Sequence, residues 1–117
     1  MYNKFIIITP FFNVENWIRN CTLSVARQDY KNYEHYMIDD LSTDNSCEAF
    51  ESTKSELSIS ENIKLIKNVD KKYALKNIFD TLENIQPADE DIIVILDGDD
   101  WLAGTDVLKK INQIYND

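Results

Sequence analysis

Three carboxylates within four positions are the strongest chemical signal in this sequence. Asp97, Asp99 and Asp100 directly follow an unbroken apolar run at residues 92–96. Such a run is typical of a strand that is buried on both faces of a parallel sheet, and Gly98 lets the chain bend so that the carboxylates can converge. Clustered carboxylates repel one another, and a hard divalent cation that bridges to phosphate oxygens would offset that charge. A solvated acidic turn that caps the next helix is the alternative, and the spacing alone does not decide between them.

The elements that must position these carboxylates form four strand–helix units in succession. Apolar runs predict the strands, and apolar residues at helical spacing follow each run. This alternation predicts an α/β fold: a mostly parallel sheet of four strands with helices on both faces. The predicted strands span 5–8, 33–38, 63–67 and 92–96, and the helices lie within 14–25, 47–57, 74–85 and 107–115. Asn13 is interpreted as the N-cap of the first helix, and residues 55–62 are expected to be irregular, frayed surface chain.

The carboxyl ends of parallel strands meet at one edge of a sheet, where open α/β sheets bind their ligands. Phe11 or Phe12 could stack on a nucleobase at this edge, an interaction of roughly 1–3 kcal/mol per base. Asp39 or Asp40 could accept a hydrogen bond from a base N–H. The alternatives for these residues are core packing for the rings and turn stabilisation for the carboxylates.

Three lysines, a histidine and a tryptophan are further candidates for a role in the site. Lys76 lies on the first turns of the third helix and is the preferred phosphate contact, whereas Lys71 and Lys72 are interpreted as a solvated face. His35 lies within a predicted strand and is interpreted as structural. Trp101 is expected to wedge the acidic loop against the domain.

Composition narrows the class of protein. The length of 117 residues suits one domain, and the net charge of −9 disfavours a nucleic-acid partner. Cys21 and Cys47 lack metal-ligand spacing, which predicts reduced, buried thiols. The apolar run near the N-terminus is too short for a signal sequence or a membrane span, so a cytoplasmic protein without a transmembrane segment is expected.

Four motifs in this order resemble the family-two glycosyltransferases of the GT-A fold. They are residues 8–17 (ITPFFNVENW), 37–46 (MIDDLSTDNS), 74–77 (ALKN) and 95–102 (ILDGDDWL). The resemblance covers nearly the whole chain. It implies an enzyme of the hexosyltransferase type that moves a sugar from a nucleotide diphosphate, most often UDP, to an acceptor hydroxyl with inversion at the anomeric carbon.

The resemblance also implies roles for particular residues. Phe12 stands where the family often has a stacking Tyr, Asp40 resembles the carboxylate that bonds the uracil edge, and Lys76 stands where Arg is common. Asp97 and Gly98 match the part of the Asp-X-Asp motif near the ribose, and Asp99 matches its metal ligand. The residues implied for the donor nucleotide are Thr9, Pro10, Phe12, Glu15, Asp39, Asp40, Lys76, Asp97 and Gly98, and those implied for Mn²⁺ or Mg²⁺ are Asp99, Asp97 and Asp100.

The sequence departs from the family pattern in two places. The glycine usual before the third helix is replaced by Lys72 and Tyr73, and the chain ends one helix after the metal motif. No residue matches the family's general base, so no catalytic residue is assigned. We therefore expect residues 1–117 to form a single nucleotide-sugar-binding domain that is truncated before the acceptor-binding half. On its own, this domain is expected to bind the nucleotide sugar but not to transfer the sugar. Its exposed sheet edge could support a homodimer.

Two other classes of protein share part of the pattern. A phosphoacceptor receiver domain needs an acidic pair after its first strand, but here the pair follows the second. A haloacid-dehalogenase-type phosphatase has an Asp-X-Asp loop that opens its domain, whereas here that motif follows the last strand.

Overall fold

The computed structural model describes residues 1–57 and 62–117, in which strands and helices alternate. The four strands of this part of the chain form one sheet in the order β3-β2-β1-β4. The strands are β1 (Phe5–Phe11), β2 (Tyr33–Asp39), β3 (Ile63–Lys67) and β4 (Ile92–Ile95). The helices are α1 (Ile18–Ala26), α2 (Ser46–Glu56), α3 (Tyr73–Ile85) and α4 (Val107–Asn116).

The sheet is parallel throughout, as the alternation of strands and helices predicts. Strand β1 pairs with β2 on one side and with β4 on the other, and β3 pairs with β2. The register places Phe11 opposite Asp39, so β1 and β2 end side by side. The segments that follow β1, β2 and β4 therefore begin at one edge of the sheet.

Helices cover both faces of the sheet, as predicted, but unequally. On one face Phe5 and Ile7 of β1 pack with residues of α1 and α4, and Phe11 packs in a second cluster with α1 and α2. On the other face, Ile6 and Ile8 pack against α3. Both sets of β1 side chains are buried, which makes β1 the centre of the fold.

The prediction that the last strand is buried on both faces is wrong. Ile92 is buried, but Ile93 and Ile95 are 37% and 45% exposed. Within the described residues β4 is one of the two outer strands of the sheet. Helix α3 packs over the neighbouring face of β1 and β2, which leaves the corresponding side chains of β4 in contact with water.

Two local predictions also need correction. Asn13 does not cap α1, because that helix begins at Ile18; Asn13 instead adopts a positive φ of 53°, and its Oδ1 accepts a hydrogen bond from the Thr43 backbone. Helix α2 continues to Glu56, into a stretch expected to be irregular from residue 55 to 62. Residues 58–61 of that stretch lie outside the described part of the chain.

The two cysteines agree with the expectation of free thiols, although one of them is only partly buried. Cys21 is buried, Cys47 is partly buried, and both are free thiols. Across residues 1–57 and 62–117, none of the helices is long and apolar enough to cross a membrane.

Candidate functional site

A cavity of about 190 Å³ lies between the ends of β1 and β2 and the start of α3. Its wall combines aromatic rings with a carboxylate, two features that suit a flat ligand with polar edges. Three of the residues implied by the family resemblance line it: Pro10, Phe12 and Asp40. The full lining is Pro10, Phe11, Phe12, Asp40, Lys71, Tyr73, Ala74 and Asn77.

Asp40 is the polar centre of this cavity and is nearly fully buried. Its Oδ1 accepts hydrogen bonds from the Lys72 backbone N–H at 2.8 Å and from Asn68 Nδ2 at 3.0 Å. Its Oδ2 accepts one from the Tyr73 backbone N–H at 2.8 Å and lies 3.3 Å from Lys71 Nζ. Burial alone would raise the pKa of Asp40, but these four donors outweigh it and hold the pKa at about 2. Asp40 is therefore an anion that caps the N-terminus of α3.

The first residue of α3 has a backbone conformation that favours glycine. Tyr73 adopts a φ of 67°, a left-handed conformation that glycine reaches without strain and other residues do not. Tyr73 occupies the segment in which the family usually has glycine. The hydrogen bond from its backbone N–H to Asp40 helps to hold the strained conformation, and its exposed ring lines the cavity.

Two asparagines continue the polar network behind the cavity. Asn68 Nδ2 donates to Asp40 Oδ1 and, at 2.7 Å, to Asn77 Oδ1. The carboxylate fixes the orientation of both amides, because it can only accept hydrogen bonds. The amide nitrogen of Asn77 is then left without a partner among the described residues, although the side chain is buried.

The interpretation of Lys71 as part of a solvated face is wrong. Its ammonium lies 3.3 Å from the centroid of the Phe12 ring and donates to the Asp40 carbonyl at 3.2 Å. Its side chain is 29% exposed, compared with 62% for Lys76. Lys76 Nζ lies 3.5 Å from Asp80 Oδ2, and Lys76 is outside the cavity lining.

The acidic loop follows β4 at the same edge of the sheet. Carboxylate oxygens of Asp97, Asp99 and Asp100 lie within 4.8 Å of one another, and all three residues are exposed. Gly98 is buried beside them, and a Cβ atom placed there would lie 2.5 Å from Phe11 Cβ. The glycine thus allows the acidic loop to pack directly against the wall of the cavity.

The donor atoms of this loop fit a hard divalent cation. Three carboxylates at this spacing offer the oxygen ligands that Mg²⁺ and Mn²⁺ prefer, and their exposure leaves room for water and phosphate oxygens in the coordination sphere.

Three other residues that the resemblance assigns to the nucleotide make contacts within the protein. Thr9 is fully buried, and its Oγ1 lies 2.7 Å from His35 Nε2. Asp39 accepts hydrogen bonds from the Ser42 backbone and from Cys47 Sγ. Glu15 is exposed and accepts one from the Asn45 backbone. These contacts hold the loops at the sheet edge, and a direct role in ligand binding for these three residues stays a prediction.

His35 is structural, as interpreted from the sequence. It is fully buried, and burial lowers its pKa to about 3, so the imidazole is neutral. Trp101 differs from expectation, because it is exposed and lines a separate cavity with α1 rather than wedging the acidic loop.

Sequence reasoning did not assign five residues of the cavity and its polar network to the site. Lys71, Tyr73, Ala74 and Asn77 line the cavity, and Asn68 links Asp40 to Asn77. One signal was available for Tyr73 and Asn77, because both belong to or flank the family motif at residues 74–77. The position of Lys71 depends on the turn made by Tyr73, which the sequence pattern does not specify.

The fold and this edge together define an α/β domain with a ring-and-carboxylate cavity beside an acidic loop, an arrangement typical of nucleotide-binding domains. The sequence matches the profile of glycosyl transferase family 2 over residues 6–117. The chain belongs to that family and has the fold of its N-terminal part. The family match supports neither the receiver domain nor the phosphatase.

Similar proteins agree with this assignment. An uncharacterised glycosyltransferase of Haemophilus influenzae is 32% identical over an alignment of 116 residues. The alignment covers 91% of this chain and 40% of that protein. The structure of S. aureus TarS residues 1–349 in complex with UDP-GlcNAc superimposes with a TM-score of 0.78 at 25% identity, over 97% of this chain and 31% of that one.

A more distant structure shows the fold alone. The mannosyltransferase PcManGT from Pyrobaculum calidifontis, in complex with GDP-Man and Mn²⁺, superimposes with a TM-score of 0.80 at 20% identity. The superposition covers 96% of this chain and 32% of the PcManGT chain. Residues 1–117 thus span between about a third and two fifths of the length of these three relatives.

Proposed function

We propose that residues 1–117 form the donor-binding domain of a glycosyltransferase that binds a UDP-sugar together with Mn²⁺ or Mg²⁺. The observation behind this proposal is the adjacency of two sites. The cavity of Phe12 and Asp40 adjoins the acidic loop, with Gly98 packed against Phe11 between them. One nucleotide diphosphate could therefore place its base in the cavity and its phosphates at the loop.

The cavity suits the base of the nucleotide. Phe12 offers a ring face for stacking, and Asp40 is held ionised, so that it can accept a hydrogen bond from a ring N–H such as that of uracil. Pro10 completes the apolar wall. The similarity to TarS, solved with UDP-GlcNAc, supports uracil over other bases.

The acidic loop suits the diphosphate and its metal. Asp99 and Asp100 would hold the cation, while Asp97 would share it or contact the ribose next to Gly98. A bound cation would screen the pyrophosphate and stabilise the charge that develops on the leaving diphosphate. The loop itself contributes the oxygen ligands and a fixed position beside the base cavity.

Other residues have supporting roles in this proposal. Lys76 is exposed on the first turns of α3 and could reach a phosphate by exchanging its contact with Asp80. Asp39 and Glu15 would shape the nucleotide site through the hydrogen bonds that they accept from neighbouring loops.

Sugar transfer requires groups that are not assigned in this chain. In an inverting transfer, the acceptor oxygen forms a bond to the anomeric carbon as the bond to the diphosphate breaks, and the acceptor proton passes to a base. We assign no base among residues 1–117. The proposed activity of the chain is therefore donor binding, and the acceptor is a hydroxyl of a glycan, lipid or protein.

Calorimetric titration with UDP, with and without Mn²⁺, tests the proposed function. UDP should bind at least about tenfold more tightly with the metal, which corresponds to about 1.4 kcal/mol. CDP provides the control, because the ring nitrogen at the pairing edge of cytosine carries no proton to donate to Asp40. CDP should therefore bind more weakly than UDP. If UDP fails to bind in both conditions, the proposed function is wrong.

We further propose that two copies of the chain associate through the open face beside β4. Ile93 and Ile95 are exposed there, and α3, which covers the same face of the sheet, exposes Leu75 and Phe79. Light scattering should find a dimer that Ile95→Lys converts to a monomer. A monomeric wild-type protein would contradict this.

The remaining part of the proposal is a cytoplasmic location. It is supported by the free thiols of Cys21 and Cys47, since disulfides form and persist in oxidising compartments. Fractionation of the source cells tests it, and recovery of the chain outside the cytoplasm would contradict it.

A further inference from the structure

The ammonium group of Lys71 contacts both groups that would recognise a base. It lies 3.3 Å above the centroid of the Phe12 ring and 3.3 Å from Asp40 Oδ2. It also donates to the Asp40 carbonyl and lies 5.2 Å from the Tyr73 ring centroid. The ring face and the carboxylate are thus joined by a single cation.

A stacked base and this ammonium cannot share the same face of Phe12. Carbon atoms in contact are separated by about 3.5–4.0 Å. A base stacked on that face would therefore overlap the nitrogen of Lys71, which lies 3.3 Å from the centroid of the Phe12 ring. The side chain of Lys71 must therefore leave the ring before a base can occupy this part of the cavity.

The hydrogen bonds of Asp40 lead to the same conclusion. Three of its four donors belong to ordered parts of the fold: the backbone N–H groups of Lys72 and Tyr73, and the partly buried amide of Asn68. The fourth is Lys71 Nζ, at the end of a flexible chain of four methylene groups. An incoming base N–H can replace this donor without disturbing the start of α3.

We infer that Lys71 occupies the base site of the free protein and must be displaced by the nucleotide. The inference rests on the proposed function and adds a determinant of specificity to it. A ligand repays the lost contacts only if it brings a flat ring for Phe12 and an N–H donor for Asp40. A sugar phosphate without a base brings neither, so Lys71 disfavours it.

Replacing Lys71 tests the inference through the affinity for uridine. Uridine has no phosphate groups, so its affinity does not include an attraction between phosphate and the charge of the lysine. Lys71→Ala should increase uridine affinity about 3- to 30-fold, because the cation–π contact no longer has to be broken. Lys72→Ala is the matched control, since Lys72 Nζ pairs with Asp80 rather than with the cavity; it should change the affinity less than about twofold. Unchanged or weaker uridine binding by Lys71→Ala would overturn the inference.

A spectroscopic measurement follows the side chain directly. In protein labelled with ¹³C-lysine, the Cε protons of Lys71 should be shifted upfield by the ring current of Phe12. Lys71→Ala identifies the signal by its loss. Saturation with UDP should return it to the position of the exposed lysines. A signal that is unshifted without ligand, or that stays shifted at saturation, would contradict displacement.

These results separate the inference from the proposed function. If UDP binds and the Lys71 signal does not respond, the inference fails and the nucleotide site stands. If UDP binds neither the wild type nor Lys71→Ala, with or without Mn²⁺, the proposed function fails and the inference fails with it.

Discussion

The cavity around Phe12 and Asp40 and the acidic loop lie at the same edge of the sheet but are built in opposite ways. Asp40 in the cavity is buried and accepts hydrogen bonds from four donors of the protein itself. Asp97, Asp99 and Asp100 of the loop are exposed carboxylates grouped within 4.8 Å. The carboxylate of the cavity is therefore held ionised by groups of the protein itself, whereas the loop would gain its counter-charge only from a bound cation.

This difference separates stability from ligand binding. A buried carboxylate that caps a helix contributes to folding, and its loss leaves its partly buried donors without an acceptor. Exposed carboxylates repel one another weakly in water and contribute little to folding. Equivalent substitutions in the two regions should therefore affect different measurements.

Asp40→Ala should produce the largest effect on the fold. It leaves the backbone N–H groups of Lys72 and Tyr73 without their acceptor, and we expect the free energy of unfolding to fall by about 2–4 kcal/mol. Urea denaturation measures this, and Asp40→Asn, which keeps one acceptor, should cost less. A loss below about 1 kcal/mol would show that the cavity is not held together by this carboxylate.

Acid should remove part of the same stabilisation. The pKa of Asp40 is about 2 in the folded protein and 3.8 when unperturbed, so its ionised form favours folding at pH values above about 4. As the pH falls from about 4 towards 2, the carboxylate is protonated and roughly 2 kcal/mol is lost. Asp40→Asn cannot titrate, so its unfolding free energy should converge on that of the wild type over this range. A constant difference would contradict the assignment.

Gly98→Ala should affect both regions, because this glycine lies between them. The added Cβ would lie 2.5 Å from Phe11 Cβ, so the loop must shift, at a cost of about 1–3 kcal/mol. We also expect weaker Mn²⁺ binding. Gly104→Ala is the control: its φ of 85° makes alanine strained, but the nearest side-chain atom is 3.7 Å away, so Mn²⁺ affinity should stay unchanged. Equal Mn²⁺ affinities in both variants would argue against the packing role of Gly98.

Asp99→Ala should have the smallest effect on stability and the clearest effect on metal binding. We expect the unfolding free energy to change by no more than about 0.5 kcal/mol, because the side chain is exposed. The dependence of UDP affinity on Mn²⁺ should disappear. An unfolded variant would instead indicate that the acidic loop has a structural role.

The sequence predicts periodic features of this fold better than features that depend on strand order. Alternating apolar runs and helical stripes indicate the parallel sheet and its helices because side-chain periodicity follows local geometry. The exposure of Ile93 and Ile95 was not predicted, since an apolar run is the same for a central strand and an outer one. Which strand lies outermost depends on long-range pairing.

The candidate site shows the same limit. The acidic loop and Asp40 are recognisable from motifs that follow predicted strands. Lys71 was wrongly interpreted as solvated because its position depends on a turn at Tyr73 with a positive φ and on a carboxylate 31 residues earlier in the chain. Such contacts combine distant segments and leave no local pattern.

The central claim is that one nucleotide diphosphate joins the base cavity to the acidic loop. A crystal structure of the chain with UDP and Mn²⁺, with the metal located from its anomalous signal, tests this most directly. We predict uracil stacked on Phe12 with its N–H directed to Asp40, and the manganese peak within coordination distance of Asp99. A base bound outside the cavity, or a metal bound away from the acidic loop, would contradict the proposed site.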